Sequence, residues 1–208
     1  RKKIMGPPGT GKTHRLVHHY LNEEINNLHT DPQRIAYVTF TKAAASDGEK
    51  KVQDVFPGVK LLYISTLHAM GTRELGISKK QVLTDTKWIQ FKNVYPIYSD
   101  INFDSYINDH GVTISQDRNL QVINYSRAKL ISLERACIDL KYHEGAVDIF
   151  RVKQLERDIE YYKGQTNMYE FSDMIKLFVD EEKHLALDAI FLDEAQDLNP
   201  SQWRMFFY

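Results

Sequence analysis

A glycine-rich run near the start of the chain has the residue types and spacing of a phosphate-binding loop. It fits the pattern G-x-x-x-x-G-K-[ST] and consists of Gly6, Pro7, Pro8, Gly9, Thr10, Gly11, Lys12 and Thr13. Glycines allow backbone N–H groups to approach phosphate oxygens, because no Cβ stands in the way. In such loops the lysine binds the β- and γ-phosphates of ATP and the last hydroxyl binds Mg²⁺. The run therefore predicts an ATP–Mg²⁺ site that contains Lys12 and Thr13.

The apolar run Ala189–Leu192 is followed directly by two acids, Asp193 and Glu194. If the run is a buried parallel strand, the acids lie at the carboxyl edge of the sheet, where α/β folds bind ligands. There Asp193 would hold Mg²⁺, directly or through water, and Glu194 would polarise the water that attacks the γ-phosphate. Two acids alone are more often a solvated turn or a helix N-cap, but the phosphate loop favours the catalytic interpretation.

Several short apolar runs bounded by polar or turn residues predict buried parallel strands. They are Ile4–Met5, Arg34–Phe40, Leu61–Ile64 and Ala189–Leu192. Helical patterns follow the first three, over Lys12–Leu28, Lys42–Val55 and Leu67–Leu75. This alternation predicts an α/β fold with the parallel sheet of a P-loop NTPase.

Between about residues 76 and 163 the strand signal fades and the pattern becomes helical. Val152, Leu155, Ile159 and Tyr162 recur at three- and four-residue spacing beside charged residues, which predicts an amphipathic helix. The polar segment Asn102–Asn119 is interpreted as a surface loop. The chain therefore divides into an α/β part and a helical part.

The composition limits the classes of function. At 42% hydrophobic and 26% charged residues, the chain is typical of soluble globular proteins. Its 27 basic and 28 acidic side chains nearly cancel, so contact with DNA would need a local groove. Cys137 is the only cysteine, which excludes an internal disulfide and a cysteine-rich zinc site and suits a reducing compartment. No segment has the roughly 20 apolar residues of a membrane span, so a cytoplasmic protein with no membrane partner is expected.

Four stretches resemble motifs of superfamily 1 DNA helicases of the UvrD/Rep kind. Asp193–Gln202 resembles their second motif, whose D-E-x-Q-D signature is far more specific than two acids. In chain order, the others are Val38–Ala45, similar to the DNA-binding motif T-F-T-N-x-A-A, Ile64–Gly71, similar to T-x-H-S-F, and Tyr169–Ile175, similar to D-F-x-D-L. Together the motifs frame nearly the whole chain.

The resemblance implies a fold and an activity. In that family the first RecA-like domain, here residues 1–75 and 165–208, is interrupted by an inserted α-helical subdomain, here residues 76–164. The family uses ATP and Mg²⁺, and Lys12 and Glu194 match its catalytic residues. Its partners are single-stranded DNA and DNA duplex junctions, and its direction of travel is 3′ to 5′. An ATP-dependent DNA helicase is therefore the expected function.

The resemblance also assigns residues to DNA. Phe40 matches an aromatic residue that stacks on a base, and the residues around the DNA phosphates are Thr39, Thr41, Thr66 and His68. A core position for Phe40 and a capping or packing role for His68 are equally open interpretations.

Two positions depart from the family pattern. His14 stands where relatives commonly place an arginine near the phosphates, which makes it a candidate nucleotide contact, and Lys42 replaces the asparagine of T-F-T-N. The sequence also lacks the glutamine motif that reads adenine and the later motifs with a γ-phosphate-sensing glutamine and two arginine fingers. A second RecA-like domain is thus missing from these 208 residues, which alone are expected to hydrolyse ATP at close to the background rate.

Two other functions compete with the helicase. An AAA+ ATPase commonly spells its phosphate loop G-P-P-G-T-G-K-T, but Lys12 and Asp193 are 181 positions apart, much farther than in an AAA+ core. A nucleotide-regulated DNA-binding module would bind ATP without turnover, and the sequence leaves that alternative open.

Overall fold

The computed structural model describes residues 4–5, 10–107, 113–143, 145–182 and 185–206. The chain forms two compact units, each made from two segments. The sheet unit is Arg1–Met70 with His184–Asp197, and the helical unit is Gly71–Lys183 with Leu198–Tyr208. The bounds of these units differ from those of the predicted domains. The prediction of one domain from residues 1–75 and 165–208 and a second from residues 76–164 stays a prediction.

The described residues mix helices with strands, as the sequence predicts. The α-helices are α1 Lys12–Arg15, α2 Lys42–Val55, α3 Leu67–Glu74, α4 Asp85–Val94, α5 Arg118–Lys129, α6 Leu133–Asp139, α7 Ile149–Thr166, α8 Phe171–Asp180 and α9 Pro200–Arg204. The strands are β1 Ile35–Thr39, β2 Tyr63–Thr66, β3 Ser105–Ile107, β4 Thr113–Ser115 and β5 Ala189–Leu192. The predicted bounds of α2 and β5 are confirmed.

β1 is the central strand of a three-stranded parallel sheet in the order β2-β1-β5. All five of its residues are buried, as is typical of a parallel strand covered on both faces. The register places Tyr37 opposite Ile64 and Phe191. The backbone N–H of Asp193 donates to the Val38 carbonyl at 3.0 Å, which continues the pairing beyond the end of β5. The sheet therefore fixes Asp193 beside the carboxyl end of β1.

Residues of α2 and of the first helical segment pack with the strands in one hydrophobic core. Its buried members are Val17, Leu21, Ile35, Tyr37, Val52, Phe56, Leu61 and Phe191. The predicted helix Lys12–Leu28 is helical, but it is α-helical only at its start, because π-helical turns cover Leu16–Leu21 and Glu23–Asn27.

The helical unit has its own core, in which α7 contributes the longest buried face. The fully buried residues of this core are Phe91, Ile101, Val122, Ala136, Val152, Leu155 and Ile159. Val152, Leu155 and Ile159 lie on one side of α7, and Tyr162 continues that side at 6% exposure. The amphipathic helix predicted from their spacing is confirmed.

Two local predictions are wrong. Asn102–Asn119, predicted to be a surface loop, contains the antiparallel pair β3–β4, in which Tyr106 pairs with Ile114. Aromatic and β-branched residues favour strands, but this segment contains few of them, so the polar residues around them indicated a loop. Ile4 and Met5 lie in neither a strand nor a helix, and Met5 is 80% exposed, so burial does not favour a strand there.

Lys163 is the centre of a buried ion network in the helical unit. Its side chain is 5% exposed, and its ammonium donates to Glu160 at 2.7 Å, Glu170 at 3.0 Å and Asp173 at 2.8 Å. The guanidinium of Arg127 donates to Glu170 at 2.6 Å and to Glu160 at 2.5 Å. Burial tends to lower the pKa of Lys163, but the Glu170 and Asp173 carboxylates outweigh it, so this pKa is raised and the ammonium stays charged.

Asp173 belongs to the stretch that resembles D-F-x-D-L, and its contacts are those of a structural residue. Its carboxylate accepts the Glu170 backbone N–H at 2.7 Å, which caps α8, as well as the bonds from Lys163. Glu160, Glu170 and Asp173 are also the three acidic groups, among the described residues, that lie close enough to share a metal ion. Because Lys163 and Arg127 already form ion pairs with these carboxylates, we interpret the cluster as a link between α7 and α8.

We predict that Lys163→Met destabilises the protein by about 3 to 5 kcal/mol, because the largely buried Asp173 carboxylate loses its cation and Glu170 keeps only its bond from Arg127. Lys176→Met is the matched control, since the Lys176 side chain is 75% exposed and its ion pair with Asp180 is longer, at 3.4 Å. The measurement is urea unfolding followed by tryptophan fluorescence, which reports on the buried Trp88 of the same unit. Equal losses in the two variants would show that the network contributes no more than a surface ion pair.

Candidate active site

The sheet unit brings the predicted metal ligands together. Thr13 Oγ1 donates a hydrogen bond to Asp193 Oδ2 at 2.8 Å, although the two residues are 180 positions apart. Asp193 is buried, at 8% exposure, and follows β5 at the edge where the sheet ends. A hydroxyl and a carboxylate oxygen in direct contact are hard donors of the kind that Mg²⁺ prefers.

Tyr37, a residue that the sequence interpretation placed in the strand core, also contacts Asp193. Its ring is fully buried, and its hydroxyl donates to Asp193 Oδ2 at 2.7 Å. Burial, followed by the charge of Asp193, raises the pKa of Tyr37, so the hydroxyl stays protonated and able to donate. The sequence signal that could have revealed this bond is a tyrosine within a buried strand, because a buried phenol usually needs a hydrogen-bond partner.

Gly48 provides the space in which the Tyr37 ring lies. Gly48 is a buried residue of α2, and a Cβ at this position would lie 2.6 Å from Tyr37 Cε1. Glycine inside a helix is less favourable than alanine by roughly 0.5 to 1 kcal/mol. The glycine at this position therefore allows α2 to pack closely over the tyrosine.

Glu194 has a backbone conformation that is uncommon for its residue type. Its φ is 55°, in the left-handed region, where a residue with a side chain is strained by about 1 to 3 kcal/mol. The Gln196 side chain donates to Glu194 Oε2, and the Asp197 N–H donates to the Glu194 carbonyl at 3.0 Å. These bonds hold the turn and set the direction of the Glu194 carboxylate.

Only part of the predicted phosphate loop can be placed. Gly6, Pro7, Pro8 and Gly9 lie outside the described residues. Thr10 is exposed, Gly11 has a left-handed φ of 75°, and Lys12 is partly buried at the first position of α1. His14 is exposed, and its ring stacks on that of His18 with 3.9 Å between the ring centroids.

The predicted DNA-contacting residues fall into two groups. Thr39 is 1% exposed and Phe40 is 9% exposed, so both are buried. Thr41, Thr66 and His68 are partly exposed. The hydroxyls of Thr41 and Thr66 accept backbone N–H groups at 3.0 and 3.3 Å, so each also stabilises the first turn of a helix.

A shallow groove of about 280 Å³ lies between α2 and β2. Its lining residues are Lys42, Ala45, Ser46, Glu49, Ile64, Ser65, Thr66 and Ala69. The groove therefore places a lysine near the hydroxyls of Ser65 and Thr66, two kinds of side chain that bind phosphate.

His68 is uncharged at neutral pH. Although His68 is partly exposed, the protein atoms around it lower its pKa to about 4, because they replace part of the water that would solvate a charged imidazolium. A contact from His68 to a DNA phosphate would therefore rely on an imidazole N–H and not on a positive charge.

A parallel sheet with a hydroxyl and a carboxylate paired at its carboxyl edge is typical of nucleotide-binding α/β proteins. The chain matches the family model of the UvrD/REP helicase N-terminal domain over residues 2–208, and it belongs to that family. The family match favours the helicase hypothesis over an AAA+ ATPase.

Two relatives have the name ATP-dependent DNA helicase PcrA. The protein of Leuconostoc citreum is 24% identical over 226 residues, which cover 96% of this chain and 28% of that protein. The protein of Bacillus subtilis (strain 168) is 33% identical over 93 residues, which cover 40% of this chain and 12% of that protein. The chain thus spans about a quarter of the length of the first relative. None of the described helices is long and apolar enough to cross a membrane.

We predict that stability falls as the pH decreases from about 6.5 towards 4, because His68 takes up its proton at a higher pH in the unfolded chain than in the folded one. His68→Gln, which does not titrate, should show a shallower decrease. The measurement is the midpoint of urea unfolding for both proteins at several pH values between 7 and 4. Parallel curves would contradict a lowered pKa of His68 in the folded protein.

Proposed function

We propose that this chain forms the ATP-binding part of an ATP-dependent DNA helicase. The observation that carries the proposal is the hydrogen bond between Thr13 and Asp193, which joins the two predicted Mg²⁺ ligands within a chain of the UvrD/REP family. Family members use ATP with Mg²⁺. The oxygen donors at this position fit that ion.

Each residue of the proposed site has a distinct role. Thr13 and Asp193 would hold Mg²⁺, which when bound neutralises charge on the phosphates. The phosphate loop, with Lys12 as its cation, would bind the β- and γ-phosphates. Glu194 would orient and polarise the attacking water, and the Gln196 side chain, which donates to Glu194 Oε2, restrains its carboxylate.

The domain organisation is part of the same proposal. Residues 1–75 and 165–208 would form the first RecA-like domain, and residues 76–164 an inserted helical subdomain. ATP would be held in a cleft between this domain and a second RecA-like domain outside these 208 residues. The greater length of the relatives is consistent with further domains, and hydrolysis would need the arginines that such a domain supplies.

For DNA, we infer that a single strand follows the groove between α2 and β2. Among its lining residues Lys42 provides a positive charge, next to the acidic Glu49, and Ser65 and Thr66 provide hydroxyl groups. Phe40 is buried in this conformation, so stacking on a base would require its ring to leave the core. A 3′ to 5′ direction follows from the family resemblance and stays a prediction.

We predict that two substitutions in the nucleotide site affect different steps, nucleotide binding in one case and hydrolysis in the other. Lys12→Ala should remove most Mg–ATP affinity, because the loop loses its positioned cation. Glu194→Gln should keep nucleotide binding but slow hydrolysis by about 10²- to 10⁴-fold in the full-length protein, because it removes a general base. The measurements are binding of a fluorescent ATP analogue and phosphate release with single-stranded DNA.

Strand separation from a duplex with a 3′ single-stranded tail tests the whole function. The full-length protein should unwind this duplex, and neither variant should do so. Tight analogue binding by Lys12→Ala would contradict the phosphate-loop assignment, and rapid turnover by Glu194→Gln would contradict the role of Glu194. DNA-dependent ATP binding without phosphate release by the parent would support the nucleotide-regulated module instead.

We predict that Lys42→Ala weakens single-stranded DNA binding and makes its salt dependence shallower by about 0.7 in the slope of log affinity against log salt. One phosphate contact would be lost, and with it the release of one counterion. Lys50→Ala is the control, because Lys50 is exposed on the same helix and does not line the groove. Equal salt slopes for the parent and Lys42→Ala, measured by fluorescence anisotropy, would exclude a phosphate contact by Lys42.

A further inference from the structure

The hydrogen bonds at Asp193 include one donor that no motif accounts for. Two hydroxyls converge on Oδ2, that of Thr13 at 2.8 Å and that of Tyr37 at 2.7 Å. Resting on the proposed function, we propose that Tyr37 is a positioning residue that fixes the Asp193 carboxylate for Mg²⁺, and that Gly48 admits its ring.

The bonds restrain the carboxylate in one orientation. A carboxylate oxygen accepts about two hydrogen bonds, so the two hydroxyls use the capacity of Oδ2. The other oxygen, Oδ1, accepts the backbone N–H of Glu194 at 3.1 Å. Rotation of the carboxylate would break all three bonds. Among the described residues, Oδ2 accepts two hydrogen bonds and Oδ1 accepts one, so Oδ1 can more readily accept a further partner.

The hydroxyl of Tyr37 is the part of the side chain that carries this role. A phenylalanine would fill the same volume in the core, whereas a buried hydroxyl is unfavourable unless it forms a hydrogen bond. Tyr37 lies in the central strand, opposite Phe191, which is two residues before Asp193. The β1–β5 register therefore holds the hydroxyl within reach of the carboxylate.

Gly48 determines where the Tyr37 ring can lie. A Cβ on Gly48 would be 2.6 Å from Tyr37 Cε1 and 3.2 Å from both Cδ1 and Cζ. Such contacts are too close, so an alanine would displace the ring and its hydroxyl. Gly48→Ala thus disturbs the bond to Asp193 without removing any donor or acceptor.

We predict that Tyr37→Phe raises the Mg²⁺ concentration needed for half-maximal nucleotide binding by about 10- to 100-fold, the usual effect of removing a group that orients a metal ligand. Nucleotide binding in EDTA should stay unchanged, because the phosphate loop is intact. Gly48→Ala should shift the Mg²⁺ requirement in the same direction. The experiment titrates Mg²⁺ into the full 208-residue chain with a fluorescent ATP analogue.

The helical unit offers matched controls. Tyr98 is also buried, and its hydroxyl donates to Asp158 Oδ2 at 2.6 Å, so Tyr98→Phe removes a similar bond from the other unit. Gly164 lies in α7, and a Cβ at this position would meet no atom of the described residues within 4 Å, so Gly164→Ala makes the same change without a clash. Neither control should alter the Mg²⁺ requirement.

The outcomes separate this inference from the proposed function. No Mg²⁺-dependent nucleotide binding by the parent chain would overturn the proposed function itself. If the parent binds nucleotide and Tyr37→Phe has the same Mg²⁺ requirement, the positioning role alone is overturned. The same holds if Tyr37→Phe has a lower melting temperature but an unchanged Mg²⁺ requirement. A normal requirement in Gly48→Ala would overturn the role of Gly48, and if that variant does not fold, Tyr37→Phe decides the positioning role.

Discussion

The buried carboxylate of Asp193 accepts hydrogen bonds from three parts of the chain, and the geometry of the sheet unit follows from satisfying it. Thr13 comes from the first helix, Tyr37 from the central strand and the Glu194 N–H from the turn after β5. A buried charge is unfavourable unless such partners surround it. The parallel order β2-β1-β5 brings those partners to one edge of the sheet.

Gly48, beside the Tyr37 ring, and Glu194, directly after Asp193, have locally unfavourable conformations or residue types. Gly48 lies inside a helix, where alanine would be preferred, and Glu194 adopts a left-handed φ of 55°. The first allows α2 to approach the Tyr37 ring, and the second turns the chain directly after Asp193. Both departures from local preference serve the arrangement around one side chain, as is typical of functional sites.

In the helical unit, buried charged side chains are stabilised by ion pairs and not by hydroxyl groups. Its Lys163 and Arg127 form ion pairs with the carboxylates around them, and Asp173 serves both as a cap and as an ion-pair partner. A stretch that resembles a helicase motif can therefore have a structural role at the level of its contacts. In the sheet unit, Thr41 likewise caps a helix at a position that the resemblance assigns to DNA.

The sequence by itself determined the features that depend on local spacing. These were the phosphate-loop pattern, the acids after β5, the bounds of α2 and the buried face of α7, because residue type and periodicity specify them directly. The strand expected at Ile4–Met5 and the loop expected at Asn102–Asn119 were wrong, since short segments depend on their neighbours in space. Only the tertiary structure decided that Phe40 is buried and that Tyr37 bonds to Asp193, because these contacts join residues far apart in the chain.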